Sequence, residues 1–280
     1  MHPDRYCVMG NPIAHSRSPR IHSLFADLTG QSLVYERELV ALDGFDAALQ
    51  ALVANGTRGM NVTVPFKLDA ARLADTRSDR VVRAGAANTL VVGVDGRIHA
   101  DNTDGLGLVA DIIRNAGVAL AGQRVLLLGA GGAAAGALAP LLAQAPAQLV
   151  VSNRTASKAE ALVAQHADLA LLYKTELLAL AAPALNGHFD IIINATASSL
   201  QGAAIPVPSA VVRPGALVYD MMYGPAAQPF LDWATEHGAV GRDGLGMLVE
   251  QAAEAFALWR GVRPPSAPVL AQVRAELAAH

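Results

Sequence analysis

The chain has 280 residues, more than one small domain needs and enough for two of ordinary size. With 52% hydrophobic and 16% charged residues it can bury a large core, which excludes disorder as the main state, and a formal net charge of -3 gives no overall case for nucleic acid or an anionic membrane. A single cysteine, Cys7, excludes an internal disulfide framework and fits a reducing, cytoplasmic location, and the start of the chain carries no apolar run of signal-peptide length.

In chain order, apolar runs rich in β-branched or aromatic residues at 6–9, 33–39 and 60–64 read as strands separated by helix-like segments. Ser18-Pro19 reads as an N-cap followed by proline at the first helical position, opening a helix that runs to Gly30. Asp43 reads as the cap of the next helix, which Asn55-Gly56 ends. Strand-helix alternation implies parallel pairing with helical crossovers. Residues 90–100 differ: two alternating runs around Asp95-Gly96 read as a hairpin.

A helix over 104–116 leads into a second α/β series, with strands expected at 124–128, 148–152, 189–194 and 216–220. The stretch 125–153 holds no charge, yet its glycines, Pro140 and Pro146 divide it into strand, turn, helix and turn, against a membrane span. The last forty residues read as helical, split at Arg263-Pro264-Pro265. No repeat or low-complexity linker interrupts the pattern. Two α/β lobes follow, with a cleft between them as the expected small-molecule site.

Gly129-Ala130-Gly131-Gly132-Ala133-Ala134 follows an expected buried strand and opens an expected helix. This is the G-x-G-x-x-A dinucleotide fingerprint in the context that gives it meaning. The first glycine permits the tight turn, the second admits a pyrophosphate, and Ala134 lets helix and strand pack closely. After the next strand an NAD-binding domain usually carries a carboxylate for the ribose. Here the chain reads Asn153-Arg154-Thr155, with Lys158 one turn on. Basic residues at a helix start oppose its dipole, so a local anion such as a 2′-phosphate explains them better than a solvated surface does. NADP is favoured over NAD.

The first lobe carries polar clusters at its expected strand ends, where α/β sheets place ligands. They are 11–19, 61–67, Asn88-Thr89 and 101–105. Singly, each has a plain structural explanation as a cap, a turn residue or a solvated lysine. Lys67 is one of three lysines among 21 basic residues, so a compact, titratable amine follows Val64-Pro65-Phe66 in a chain whose usual cation is arginine. The eight histidines and one cysteine show no metal-ligand spacing, so no metal is expected.

Together, GNPIAHSRSP, NVTVPFK, AGAANTL, DNTDG, GAGGAA, NRT, INAT, YDMMY and DGLGMLVEQAA resemble the shikimate dehydrogenase family, in that family's order and over nearly the whole chain. The resemblance implies NADP-linked, reversible reduction of 3-dehydroshikimate to shikimate in aromatic amino-acid biosynthesis. It implies an α/β fold of two lobes: a substrate domain with a mainly parallel sheet (1–104 plus 244–280) and a Rossmann-like NADP domain (105–243), with the C-terminal helices returning to the first lobe. Carried over residue by residue, it pairs Lys67 with Asp104 as the catalytic couple. Ser16 and Ser18 fall at the substrate carboxylate, Thr63, Asn88 and Gln251 at the ring hydroxyls, and Tyr223 near the substrate. Gly129, Ala130, Gly131, Gly132 and Ala133, with Asn153, Arg154, Thr155 and Lys158, fall to the cofactor's phosphates, and Thr196, Met221 and Gly244 to its nicotinamide. Two departures stand out: Ala133-Ala134-Ala135 where many relatives carry a polar or basic side chain, and Ala197-Ser198-Ser199-Leu200 where a glycine often occurs. An NAD-preferring quinate/shikimate dehydrogenase and a nucleotide-sensing protein without turnover are the rival readings. A monomer and a homodimer both remain open.

Overall fold

The computed structural model describes residues 3–196 and 207–279. The chain divides into two compact units, Met1–Gly107 with Val249–His280, and Leu108–Leu248. The first begins with β1 (Asp4–Gly10), α1 (Ser18–Thr29), β2 (Leu33–Leu39), α2 (Phe45–Ala54) and β3 (Thr57–Val62). α3 (Lys67–Leu73), β4 (Thr76–Arg77), α4 (Asp79–Ala84), β5 (Thr89–Val92), β6 (Ile98–Asp101) and α5 (Asp104–Ala110) follow. Its six strands lie in the order β2-β1-β3-β5-β6-β4. β1 pairs in parallel with β2 and β3, as the strand-helix alternation requires, and β4 pairs in parallel with β6. The hairpin enters antiparallel, so β3 meets β5, and β5 meets β6, in the opposite sense. Cys7, Met9, Met60, Val62 and Leu90 cover one core, and Tyr6, Val8 and Tyr35 a second.

Two expected caps are not used. α1 is preceded by Arg17 with no side-chain cap, and Ser18 is its first residue; α2 starts after Gly44, so Asp43 caps nothing. A cap works only where the backbone bends into the cap geometry, and in both places it bends one residue away from the expected position.

The second unit continues with β7 (Arg124–Leu128), α6 (Gly132–Leu142), β8 (Gln148–Ser152), α7 (Ala156–Ala164), α8 (Ala167–Leu172), β9 (Glu176–Ala179), β10 (Phe189–Asn194), β11 (Val212–Asp220), α9 (Gln228–Glu236) and β12 (Val240–Arg242). All neighbours in its sheet, ordered β12-β11-β10-β7-β8-β9, are parallel. β7 lies between β10 and β8, and four of its five residues are buried, so its unbroken apolar run satisfies both faces of the sheet. α5 gives way to a π-turn at Asp111–Asn115. There the fully buried Asp111 carboxylate accepts two bonds from Arg242, at 2.9 and 2.6 Å, and one from the Tyr219 hydroxyl at 2.7 Å. These bonds tie β11 and β12 to the end of that helix, and they satisfy a charge that would otherwise be costly to bury.

α10 (Leu245–Arg260) and α11 (Ser266–Ala278) close the chain, and residues from Val249 onward belong to the first unit. Trp259 donates to the Leu90 carbonyl at 2.9 Å, Arg260 pairs with Asp4, and Arg20 meets Glu276 at 2.7 Å. Among the described residues no helix is long and apolar enough to cross a membrane.

Candidate active site

In the first unit, the chain after β3 folds back onto the end of β1: Thr63 N–H donates to the Met9 carbonyl at 3.0 Å and Asn11 N–H to that of Val64 at 3.1 Å. That turn delivers Lys67 as the first residue of α3. Asn88 sits just before β5, its N–H bonded to the Asp101 carbonyl at 3.1 Å, and Asp104 opens α5. Lys67 Nζ donates to Asp104 Oδ2 at 2.6 Å, with the lysine side chain 26% exposed and the carboxylate 5%. Asn88 Nδ2 donates to Asp104 Oδ1 at 2.8 Å and to Gln251 Oε1 at 2.9 Å. A buried carboxylate is thus held on both oxygens, by an ammonium that reaches solvent on one side and by an amide on the other. Asp101 plays a different part. Burial works to raise its pKa, but two bonds from Arg80 at 3.0 and 2.7 Å and one from Ser78 at 2.7 Å outweigh that and hold it below the ordinary carboxylate value.

The serine turn is built separately. Ser16 N–H donates to the Ile13 carbonyl at 3.0 Å, and Ser18 N–H donates to Ser16 Oγ at 3.3 Å. Arg37, on β2, grips the Ser16 carbonyl with Nε and Nη2 at 3.1 and 2.7 Å. Ser16, the residue with no expected cap role, therefore accepts the cap-like bond. Thr63 is half-buried, and its methyl lies over Gly10. Asn61, which opens the polar cluster 61–67, has a partner that no motif marks, Tyr35. Tyr35 Oη donates to Asn61 Oδ1 at 2.7 Å, and Asn61 lies in the NVTVPFK run, where a polar residue interrupts an apolar strand.

In the second unit, Gly129 turns with φ +105, its N–H bonded to the Ser152 carbonyl at 2.8 Å; a Cβ there would approach Ala195 O at 3.1 Å. An L side chain is strained at that position on both counts. Ala130 and Ala133 are half-buried and Ala134 is fully buried. Asn153 Nδ2 donates to the Thr155 carbonyl at 2.9 Å, while Arg154, Thr155 and Lys158 are exposed. At the ends of β10 and β11, Asn194 Nδ2 donates to Asp220 Oδ2 at 3.1 Å, and Asn194 Oδ1 accepts from Thr196 Oγ1 at 2.7 Å. Met221 N–H donates to the Asn194 carbonyl at 3.0 Å and Gly244 N–H to that of Met222 at 2.8 Å. Thr196, Met221 and Gly244 are thereby gathered around an Asn194–Asp220 pair absent from the expected site. Its signal in the sequence is a polar residue closing each of two apolar runs, IIIN and LVYD. Tyr223 is half-buried just beyond β11, and Ala197-Ser198-Ser199-Leu200 lie outside the described residues.

Three family models match the chain: the shikimate dehydrogenase substrate binding domain over residues 8–90, shikimate / quinate 5-dehydrogenase over 110–202, and the shikimate 5'-dehydrogenase C-terminal domain over 244–274. A protein of Acidovorax sp. (strain JS42) named shikimate dehydrogenase (NADP(+)) is 71% identical over 276 residues, which is 99% of this chain and 98% of its own. The chain belongs to the shikimate dehydrogenase family. Among solved structures, an Ael1 enzyme from Pseudomonas putida matches with a TM-score of 0.89 at 48% identity, over 96% of this chain and 97% of its own. The shikimate 5-dehydrogenase of Thermus thermophilus, solved with NADP(H) and shikimate, matches with a TM-score of 0.79 at 29% identity, over 97% and 98%.

The glycine turn fits a dinucleotide. Gly131 and Gly132 are exposed, and a Cβ on either would meet nothing within 4 Å, so open space lies over both. α6 starts there with no side-chain cap, leaving its first N–H groups and the positive end of its dipole to an incoming anion.

Proposed function

We propose that this chain catalyses the NADP-dependent, reversible reduction of 3-dehydroshikimate to shikimate, a step of aromatic amino-acid biosynthesis. The observation that carries the reading is the Lys67–Asp104 pair, 2.6 Å apart, with the lysine partly open and the carboxylate buried. When bound, NADPH supplies the hydride. Negative charge then develops on the substrate oxygen. Lys67 Nζ stabilises that charge and donates the proton; in the reverse direction it receives one. Asp104 holds the ammonium in place. Asn88 and Gln251, already bonded to each other at 2.9 Å, and Thr63 take the ring hydroxyls. Ser16 and Ser18 take the carboxylate, and Tyr223 adds a further substrate contact.

We assign substrate binding to the unit Met1–Gly107 with Val249–His280, and cofactor binding to Leu108–Leu248. Gly129, Ala130, Gly131, Gly132 and Ala133 receive the pyrophosphate. Asn153, Arg154, Thr155 and Lys158 receive the adenosine end, where exposed Arg154, which makes no ion pair among the described residues, is free to meet a 2′-phosphate. Thr196, Met221 and Gly244 line the nicotinamide. The chain works in the cytoplasm, as a monomer or a homodimer. The test is a spectrophotometric assay crossing shikimate and quinate with NADP and NAD. Turnover should be highest with shikimate and NADP; turnover with quinate and NAD alone would overturn the assignment.

A further inference from the structure

A line of polar side chains runs from the Tyr35 side of the first unit to Asp104, and the direction of each bond in it is fixed. The Thr103 backbone N–H donates to Asn88 Oδ1 at 2.8 Å, so Nδ2 of Asn88 faces Asp104 Oδ1 at 2.8 Å. The Asn88 carbonyl, which only accepts, takes a bond from Asn61 Nδ2 at 3.2 Å, and this turns Asn61 Oδ1 to the Tyr35 hydroxyl. Tyr35 therefore donates, at 2.7 Å. Asn61 Nδ2 also donates to Thr89 Oγ1 at 3.2 Å, and the Thr89 hydroxyl donates to Asn88 Oδ1 at 2.9 Å. Every hydrogen in the line points towards Asp104.

The surroundings hold this line rigid. Thr89 is fully buried, and Asn88 and Tyr35 are buried. Tyr35 stacks flat on His22, with centroids 4.3 Å apart and planes 6° apart. Neither ring nitrogen of His22 meets a hydrogen-bond partner, so the imidazole is a wall for the phenol and not a link in the line. In a low-dielectric interior, successive donors polarise one another, and their positive ends stabilise the carboxylate they face.

We propose that Tyr35, Asn61 and Thr89 are positioning residues, an oriented hydrogen-bond chain that locks the Asn88 amide against Asp104 and so keeps Asp104 aligned on Lys67. The inference rests on the reading of Lys67 and Asp104 as the proton-handling pair. None of the three acts on the reacting atoms; each acts through Asn88.

The experiment measures kcat and KM for shikimate at saturating NADP in Thr89→Val, Thr89→Ser and Tyr35→Phe, each alone and with Asp104→Asn. Thr89→Val should lower kcat about three- to tenfold, the factor one neutral hydrogen bond carries, and leave KM within about twofold. Thr89→Ser keeps the hydroxyl and should restore kcat. Tyr35→Phe, one link further from Asn88, should cost about two- to threefold. With Asp104→Asn, Thr89→Val and Tyr35→Phe should cost nothing further, because the group they act through is already lost. A purely structural role would impose the same factor in both backgrounds, and that result overturns the inference. So does a Thr89→Val kcat equal to wild type. If Thr89→Val does not fold, Tyr35→Phe decides by the same comparison. Wild-type kcat in Asp104→Asn alone would instead remove the proton pair, and the positioning chain with it.

Discussion

Replacing Gly131 with alanine separates the fold from the cofactor site. Gly131 has φ -92 and ψ -170, an extended backbone open to any residue, and an added Cβ would meet nothing within 4 Å. The fold therefore accommodates the methyl, and two small opposing effects, the stiffer unfolded chain and the poorer N-cap that alanine makes at the start of α6, leave stability within about 1 kcal/mol of wild type. The methyl does, however, fill the space through which a pyrophosphate reaches the N–H groups of α6. Losing one charge-assisted hydrogen bond costs about 1.5–3 kcal/mol, or roughly ten- to over a hundredfold in NADP affinity. Gly129→Ala is the counterpart: φ +105 and a Cβ 3.1 Å from Ala195 O make it a folding defect. Such strain costs about 1–3 kcal/mol. Thermal melts beside fluorescence titration with NADPH read both quantities. Gly131→Ala should bind weakly and melt close to the wild-type temperature. Unchanged NADPH affinity in a folded Gly131→Ala protein would refute the pyrophosphate assignment, and a melt several degrees lower would refute the open cradle.

Lys67→Met and Asp104→Asn should each lower kcat about 10²–10⁴-fold, and the double variant far less than the product of the two, since the residues act as one unit 2.6 Å apart. Multiplicative losses in steady-state kinetics would dissolve that unit. Arg154→Ala should weaken NADP by about ten- to a hundredfold and leave NAD nearly unchanged, because only NADP carries the phosphate that a guanidinium grips. Equal weakening of both cofactors in calorimetric titrations would move Arg154 away from the 2′-phosphate. His22 gives a pH test. Burial pushes its imidazole from 6.5 down to about 3. Between those values the unfolded chain binds a proton that the folded chain refuses. Stability is thus fully present above about pH 6.5 and falls as pH drops towards 3, by up to about 1.4 kcal/mol per unit. His22→Phe should flatten the fall in melting temperature between pH 7 and pH 5; an undiminished fall would assign the loss to other groups.

Much of this molecule is written locally. The strands Gln148–Ser152 and Phe189–Asn194 and the hairpin around Asp95-Gly96 can be read from the residues alone, since burial on both faces demands an unbroken apolar run and a tight turn demands glycine. The glycine turn is legible for the same reason. Gly129 answers a backbone requirement confined to its own residue and its neighbours. The short strands β4, β9 and β12 are not legible in this way, because at two to four residues their pairing partners, not their own pattern, make them strands.

The same division runs through the site. Lys67, Asn88, Asp104 and Gln251 can be listed from motifs, but the bonds among them join residues up to 163 positions apart. Whether Ser18 or Ser16 accepts the bond at the start of α1 depends on the backbone bend there, and only the folded chain sets it. Asn61 is legible only as part of the cluster 61–67, and Tyr35, Asn194 and Asp220 have no role that the sequence assigns, because a polar residue in a strand looks alike whether it is tolerated or bonded. The π-turn at Asp111 also has a distant partner, since Arg242 lies 131 positions away. Periodicity and backbone freedom are properties of a few consecutive residues, so sequence alone determines them here. A buried polar group must find its partner wherever the packed chain brings one, and that choice belongs to the tertiary structure.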